Sequence, residues 1–183
     1  MSELPLLDAP LRAGGVALRP YAERDIPEIL IAYQDDPQLH RLLGQARPPS
    51  AAQLGRTAEA AEADRRRGLA LWLTICRDGE DRCIGQVSLH SLDWTAASGE
   101  LSLWLAPGER GCGHGRRALS LAARWLLEHA SLSRLELLVD PANEPMKRTA
   151  AAVGARVEAA SSTAGRSGAQ MLRYVLTHPQ REP

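Results

Sequence analysis

Two kinds of apolar periodicity divide this chain of 183 residues into strands and helices. Alternation of apolar and polar residues is typical of strands, and apolar residues three or four positions apart are typical of helices that pack on one side. Strands are predicted at residues 16–21, 69–77, 82–90, 99–105, 134–139, 156–160 and 169–177. Helices are predicted at 25–33, 37–43, 50–67 and 143–153, with a further helix that ends at 128. A meander followed by a strand–turn–helix–strand unit favours an α+β fold over a doubly wound parallel sheet.

The most informative stretch is 100–128, in which a strand leads through a glycine-rich turn into a long amphipathic helix. Three glycines stand within five positions of the turn: Gly111, Gly113 and Gly115. Glycine lets a ligand approach the unpaired backbone N–H groups with which a helix begins, where the helix dipole is also positive. Three arginines add positive charge: Arg110, Arg116 and Arg117. The turn is therefore predicted to bind a phosphate or pyrophosphate.

Two motifs fit these letters. Gly113, Gly115 and Ala118 satisfy the dinucleotide-binding pattern G-x-G-x-x-A, and Asp140 ends a later strand, as a ribose-binding acid would. In that fold, however, the first glycine follows its strand almost at once, whereas a longer segment with a proline intervenes here, and too little chain follows for the remaining strand–helix units. We therefore favour the second pattern, R-x-x-G-x-G, which begins at Arg110.

With this second motif the sequence resembles the GNAT superfamily of acyl-CoA-dependent N-acetyltransferases. The order of predicted elements matches the GNAT fold over 16–177. The segments LRPYAERDIPEI and GELSLWLAPGERGCG are similar to the RimJ/RimL-like branch, which acetylates the N-termini of ribosomal proteins. The resemblance implies a mixed, mostly antiparallel central sheet with helices on both faces and a splayed central strand pair. It also implies acetyl-CoA as co-substrate, an amine acceptor chosen by loops such as 44–52 and 161–168, and a homodimer.

The resemblance also assigns residues to the coenzyme. Leu103 and Leu105 would pair their main-chain groups with the pantetheine arm, in the gap between the splayed strands. The pyrophosphate would lie against the turn, which consists of Arg110, Gly111, Cys112, Gly113, His114, Gly115 and Arg116. Asn143 matches the family asparagine that contacts the coenzyme arm. A plain helix cap is the alternative role for Asn143, and one side chain can serve both purposes.

Alternation places polar residues on one face of two neighbouring strands, as a substrate cleft would require. These residues are Gln86, Ser88, His90, Glu100, Ser102 and Trp104. Related enzymes carry a glutamate at the position of Glu100, where it often serves as a base through water. We therefore expect Glu100 to order or deprotonate the amine, with His90 as a helper. The alternative for both residues is a solvated strand end.

The chain departs from the family pattern where a general acid is expected. The serine of the family's N-x-x-S motif is Met146 here, and the tyrosine further along the same helix is Ala150. Neutralising an α-amine at pH 7 costs about 1 kcal/mol, whereas neutralising a lysine costs about 4.6 kcal/mol. A site with few acid–base groups can handle the first more easily. The predicted acceptor is therefore a protein or peptide N-terminus or another weakly basic small amine.

Composition and charge bound the remaining possibilities. The 22 basic and 22 acidic residues balance, which argues against nucleic acid as a partner. No apolar run approaches membrane-spanning length, and the first residues are not typical of a signal peptide. The three cysteines lack paired spacing, which indicates a reducing cytoplasm, and no metal site is predicted. We expect a flexible N-terminus over 1–15, one domain over 16–178, and a tail over 179–183.

Two other functions stay open at this point. A non-catalytic acyl-CoA-binding or regulatory module would keep the fold and the coenzyme, and the missing serine and tyrosine recommend it. A dinucleotide-dependent oxidoreductase stands third.

Overall fold

Eight strands form one sheet in the part of the chain that the computed structural model describes, residues 3–158 and 170–178. The strands are β1 Leu11–Ala13, β2 Val16–Pro20, β3 Leu71–Arg77, β4 Gly85–Asp93, β5 Ser98–Leu105, β6 Arg134–Val139, β7 Arg156–Glu158 and β8 Leu172–Thr177. The helices are α1 Ile26–Asp35, α2 Leu39–Leu42, α3 Ala51–Arg66, α4 His114–His129 and α5 Glu144–Ala152. Short 3-10 turns occupy Glu23–Asp25 and Pro107–Glu109.

The strands lie in the order β1-β2-β3-β4-β5-β6-β8-β7. Neighbouring strands are antiparallel throughout the described sheet except β5 and β6, which are parallel. A parallel pair needs a crossover connection, and α4 provides it. The predicted mixed, mostly antiparallel α+β sheet is therefore confirmed. The last hairpin also forms as predicted, with β8 inserted between β6 and β7.

Helices cover both faces of the sheet, as the sequence predicts. On one face, α4 buries its apolar side, which includes Leu119 and Leu126, against β-strand residues such as Leu73 and Leu101. On the other face, α1 and α2 pack in a smaller cluster around Trp104. Alternation along β5 thus sends odd-numbered side chains towards α4 and even-numbered side chains towards α1 and α2.

The N-terminal segment differs from the expected flexible N-terminus over 1–15. The side chains of Leu4 and Leu7 are only 0% and 8% exposed, because both join the main apolar core. The backbone N–H of Leu4 donates to the Arg65 carbonyl (3.1 Å). Strand β1 pairs with β2 through the turn at Gly14 and Gly15, whose φ angles are +58° and +84°. Those angles favour glycine, so the turn closes a hairpin at the sheet edge.

A buried ionic network fastens β2 to the start of α1. The Arg19 guanidinium binds both carboxylate oxygens of Asp25, at 2.9 and 2.5 Å, and the two residues are 7% and 1% exposed. The Thr74 hydroxyl donates to Asp25 (2.7 Å), and Arg19 Nε donates to Asp81 (2.6 Å). Each buried charge therefore has a partner, which is the condition under which a protein interior tolerates charge.

Several predictions concern residues outside the described part of the chain, namely the loop at 161–168 and the tail at 179–183. Within the described residues, no helix has both the length and the apolar character needed to cross a membrane. In the same ranges, no group of three or more histidine, cysteine, aspartate or glutamate side chains is placed to hold a metal ion. Cys76, Cys83 and Cys112 are all free thiols.

Candidate active site

The two central strands separate part-way along the sheet. Strands β5 and β6 pair through three residues each, and the last pair joins Glu100 to Glu136. β5 nevertheless continues to Leu105 and β6 to Val139. Beyond Glu100, the edge of β5 that faces β6 thus has no partner strand among the described residues, and its main-chain groups are available to a ligand. The predicted splay of the central strand pair is confirmed.

The glycine-rich turn forms the entry to α4. Gly113 is the N-cap of this helix, with φ +79°, and no side chain caps the helix there. Gly111 has φ +80°, and a Cβ atom built on it would meet nothing within 4 Å. The first backbone N–H groups of a helix have no partner within the helix. The turn therefore presents unpaired N–H groups, at the positive end of the helix dipole, towards open space.

Gly115 brings the start of α4 close to β5. A Cβ atom on Gly115 would lie 3.4 Å from both Leu103 Cδ2 and Leu105 Cδ1. The side chains of Leu103 and Leu105 therefore face α4, and only their main-chain groups can face the gap between β5 and β6. The backbone edge assigned to the pantetheine and the helix start assigned to the pyrophosphate are thus adjacent in the structure.

Arg110 is held by two groups of this chain. Its Nε atom donates to the Leu105 carbonyl (3.0 Å), and its Nη2 atom lies 2.7 Å from the carboxylate of Asp36, which follows α1. Arg117 donates to the Cys112 carbonyl (3.0 Å) and so ties the turn to the helix. Arg116 is exposed. The sequence predicted charge at this turn, but the local pattern gave no signal that Asp36 would pair with Arg110.

Glu109 directly precedes the glycine-rich turn and contacts His114 at the start of α4. The sequence gave no indication of this role. Its buried carboxylate accepts hydrogen bonds from Arg77 Nε and Nη2, at 3.2 and 2.8 Å. His114 Nδ1 lies 3.4 Å from the same carboxylate, close enough for an ion pair when protonated but without hydrogen-bond alignment. The imidazole of His114 is therefore directed at Glu109 beneath the turn, and its contribution to an anion site would be its backbone N–H.

The polar stripe predicted on β4 and β5 is present and in register. Gln86 lies opposite Trp104, Ser88 opposite Ser102, and His90 opposite Glu100. The Trp104 indole donates to Gln86 Oε1 (3.2 Å). His90 Nε2 and Ser102 Oγ are 2.9 Å apart. The stripe lies on the face covered by α1 and α2, opposite the face that Leu103 and Leu105 share with α4.

The backbone of β4 leaves its regular register directly after His90. The shift falls between His90 and Asp93, and Ser91 in between has φ +51°. The Ser91 hydroxyl lies 3.0 Å from His90 Nδ1. Such bulges redirect side chains and are common beside active sites. Both ring nitrogens of His90 are thus occupied by hydroxyl groups, which fixes the ring on the Glu100 side of the sheet.

The Glu100 carboxylate is partly buried at the point where the strands separate. Burial raises its pKa above the ordinary value, and the negative charge of Glu136 raises the pKa further, whereas His90 and Arg173 lower it. A carboxylate with a raised pKa binds a proton more readily, as a general base must. Glu100, which the sequence predicts as a base, is thus a partly buried carboxylate at the point where β5 and β6 separate.

Comparison of the sequence with models of protein families shows the family to which the chain belongs. The model described as "Acetyltransferase (GNAT) domain" matches residues 16–156, which is most of the chain. The protein belongs to the GNAT acetyltransferase family. No curated protein matches the sequence.

Solved GNAT structures share the fold at low sequence identity. A ribosomal-protein-alanine acetyltransferase from Vibrio fischeri is 19% identical with a TM-score of 0.76, over 96% of this chain and 100% of that chain. RimJ from Mycobacterium smegmatis, in complex with CoA-disulfide, is 24% identical with a TM-score of 0.75, over 96% and 88%. An acetyltransferase from Salmonella typhimurium, which modifies the N-terminal serine of a ribosomal protein, is 14% identical with a TM-score of 0.79, over 93% and 99%.

Family membership confirms the predicted activity at the level of reaction class. This GNAT protein is an N-acetyltransferase that uses acetyl-CoA, and the predicted fold is that of the RimJ/RimL-like structures. The dinucleotide-dependent oxidoreductase is excluded, since both the strand order and the family differ from those of a doubly wound fold. Nothing in the comparisons supports a non-catalytic module.

Helix α5 carries the departure from the GNAT pattern. The Asn143 Oδ1 atom accepts a hydrogen bond from the Met146 N–H (3.1 Å), so Asn143 caps α5. Met146 packs against the main core, and Ala150 is completely buried. The Thr149 hydroxyl donates to the Pro145 carbonyl (3.0 Å). The described part of α5 therefore offers no hydroxyl that is poised to protonate a leaving thiolate.

Proposed function

We propose that this GNAT enzyme acetylates weakly basic primary amines, above all the α-amine of a protein or peptide N-terminus, by direct attack on acetyl-CoA. The observation that carries the proposal is the geometry of β5. Its open edge and the start of α4 adjoin at one end, and Glu100 stands at the other end, where the strands separate. A thioester that lies along this edge would bring its reacting carbon to the face that carries Glu100.

The coenzyme would be held mainly by backbone groups. The pyrophosphate would accept hydrogen bonds from the N–H groups at Gly113 to Arg116, where the helix dipole favours an anion. Arg110, Gly111 and Cys112 would line the approach, with Arg110 exchanging Asp36 for a phosphate oxygen. The pantetheine amides would pair with the main chain of Leu103 and Leu105. Asn143 would reach the coenzyme arm while still capping α5.

In the chemical step the neutral amine attacks the thioester carbon and forms a tetrahedral intermediate. The C–S bond then breaks, and the sulfur leaves as the coenzyme thiolate. The amine loses one proton overall, which Glu100 accepts directly or through water. His90, fixed by Ser102 and Ser91, supports the orientation of Glu100 and the amine. Without a hydroxyl from α5, the thiolate takes its proton from solvent or from the same relay.

The preference for an α-amine follows from the free energy of deprotonation. An amine of pKa about 7.8 must be neutralised at a cost of about 1 kcal/mol at pH 7, against about 4.6 kcal/mol for a lysine. A single carboxylate base can more easily offset the smaller free energy of deprotonation, that of the α-amine. The solved relatives named for a ribosomal-protein alanine and an N-terminal serine are similar in fold, and their named acceptors agree with this preference.

The test is release of free coenzyme thiol across matched acceptors. Peptides with a free N-terminus and no lysine are compared with N-terminally blocked peptides that contain one lysine, together with a panel of small amines. We expect a higher kcat/KM for the free N-termini. Faster acetylation of the blocked lysine peptides would refute the proposed acceptor class. Coenzyme binding without turnover on any acceptor would favour the non-catalytic module instead.

The proposed cellular location is the cytoplasm. Free thiols at Cys76, Cys83 and Cys112 fit a reducing cytoplasm. The single domain over 16–178 stays a prediction, to be tested by limited proteolysis. The homodimer also stays a prediction, and light scattering of the purified protein measures it directly.

A further inference from the structure

Two glutamates face each other at the point where the central strands separate. Glu100 of β5 and Glu136 of β6 form the last residue pair of the parallel ladder. Residues paired in this way point to the same face of the sheet and lie within reach of each other's electric field. The sheet thus places a second carboxylate beside the candidate base, at the mouth of the gap in which the thioester would lie.

The two carboxylates have different partners. The Glu136 carboxylate accepts a hydrogen bond from Arg134 Nε (2.7 Å), and Arg173 Nε lies 3.1 Å from its other oxygen. Arg134 is itself held by Glu158, whose two oxygens accept from its Nη atoms at 2.7 and 2.6 Å. Among the described residues, the Glu100 carboxylate has neither a hydrogen bond nor an ion pair.

This asymmetry gives the two glutamates different electrostatic surroundings. Neighbouring carboxylates repel each other when both are ionised, and an adjacent arginine stabilises the ionised form of its own partner. Glu136 is therefore the member of the pair whose negative charge is compensated by arginines. Its charge disfavours a second negative charge, so proton uptake falls to Glu100. Among the described residues, the titratable and charged groups that act on Glu100 are His90 on β4, Glu136 on β6 and Arg173 on β8, with Arg134 behind Glu136.

We propose that Glu136 is a positioning residue for acetyl transfer, held beside Glu100 by Arg134 and Arg173 so that its negative charge favours uptake by Glu100 of the proton released by the amine. This inference rests on the proposed function, because it presumes that Glu100 is the base. It gives a functional role to an ionic cluster on β6, β7 and β8 that lies outside the glycine-rich turn. The cluster consists of Arg134, Glu136, Glu158 and Arg173. Glu136 itself does not touch the reacting atoms.

Two variants with opposite expected effects test the proposal. Glu136→Gln removes the negative charge next to Glu100, so Glu100 should bind its proton less tightly, and its titration midpoint should move to lower pH. Arg173→Gln removes a positive charge, and the midpoint should move to higher pH. The midpoint is measured by carbon NMR of the glutamate carboxyl groups, with the Glu100 signal assigned by its loss in Glu100→Gln. The acid limb of the kcat/KM profile is measured in parallel.

Glu158→Gln is the matched control, because it breaks an ion pair of the same cluster without facing Glu100. It should leave both the midpoint and the acid limb in place. A merely structural role for Glu136 would lower the melting temperature of Glu136→Gln without moving either readout, and that result would overturn the proposal. The proposal is also overturned if Glu136→Gln and Arg173→Gln move the titration midpoint of Glu100 in the same direction.

The proposal and the proposed function fail in distinguishable ways. If Glu100→Gln leaves the rate and the acid limb unchanged, Glu100 is not the base, and both assignments fall. If Glu100→Gln removes the acid limb but Glu136→Gln does not move it, Glu100 remains the base and only the role of Glu136 is refuted. A shift of both the NMR midpoint and the acid limb supports the two together.

Discussion

Replacing Gly113 by alanine separates the cost of an unusual backbone angle from the loss of an anion contact. Gly113 has φ +79°, a region in which an L-residue costs roughly 1–2 kcal/mol. Alanine regains about 0.4–1 kcal/mol, because it restricts the unfolded chain. The new Cβ atom would lie 3.4 Å from Arg117 Nη1, the end of a flexible side chain that can move aside. The net loss should be about 1 kcal/mol, or roughly 2–4 °C in melting temperature.

The loss of coenzyme affinity should be larger than this loss of stability. A methyl group at Gly113 would lie beside the Arg117 guanidinium at the start of α4, where we propose that the pyrophosphate binds. Losing one hydrogen bond to a charged acceptor costs about 1.5–3 kcal/mol. We therefore expect coenzyme A to bind about 10- to 150-fold more weakly. Isothermal titration calorimetry measures the Kd, and thermal unfolding measures the stability of the same preparation.

Gly79→Ala is the matched control for this experiment. Gly79 lies between β3 and β4 with φ +83°, and a Cβ atom there would meet nothing within 4 Å. Its backbone cost should match that of Gly113→Ala, but its Kd for coenzyme A should stay at the wild-type value. The reasoning is refuted if Gly113→Ala binds coenzyme A as tightly as wild type. It is also refuted if both variants weaken binding equally, since the effect would then be general destabilisation.

Three further predictions follow from the caps and buried charges. Asn143→Ala and Ser50→Ala each remove an N-cap, and each should lower the free energy of unfolding, measured by urea denaturation, by about 1 kcal/mol. Only Asn143→Ala should raise the KM for acetyl-CoA. Equal KM values for the two variants would show that Asn143 serves only as a helix cap. Asp25→Asn should cost about 3–5 kcal/mol in the same assay, because it removes the only buried carboxylate bound to Arg19 and leaves the exposed Asp81 as its remaining ionic partner among the described residues; a loss below about 1 kcal/mol would contradict that account. At pH values above the raised pKa of Glu100, Glu100→Gln should raise the melting temperature, because folding disfavours the ionised carboxylate there. The gain should vanish as the pH falls below 4.5, the ordinary pKa of a glutamate. A gain that does not change with pH would show that it has another origin.

The parts of the fold that the sequence could predict are those set by local periodicity. The strand over 134–139 was predicted with the observed bounds of β6, since polar and apolar residues alternate over its first four positions. The start of α4 was recognisable because glycines with positive φ and an amphipathic helix occur side by side. The polar stripe around Glu100 was recognisable because alternation along a strand fixes which side chains share a face.

The parts that the sequence could not predict depend on distant pairing. Strand β1 has three residues, too few for a period to be detected, and only the burial of Leu4 and Leu7 shows why the segment from residue 3 packs against the sheet. The ion pair between Asp36 and Arg110 joins the end of α1 to the turn before α4. No local pattern predicts it, because the two segments meet only after the sheet has formed.

The strand β5 connects the two halves of the proposed chemistry through its alternation. Its odd-numbered leucines contact the start of α4 and so fix the distance between the glycine-rich turn and the open backbone edge. Its even-numbered residues, beginning with Glu100, face the side on which an acceptor would enter. Because β5 and β6 separate immediately after Glu100, a thioester lying in the gap would be accessible from both faces at that one position. A coenzyme on the α4 side and an amine on the opposite side would therefore meet beside Glu100, the partly buried carboxylate whose pKa the fold raises.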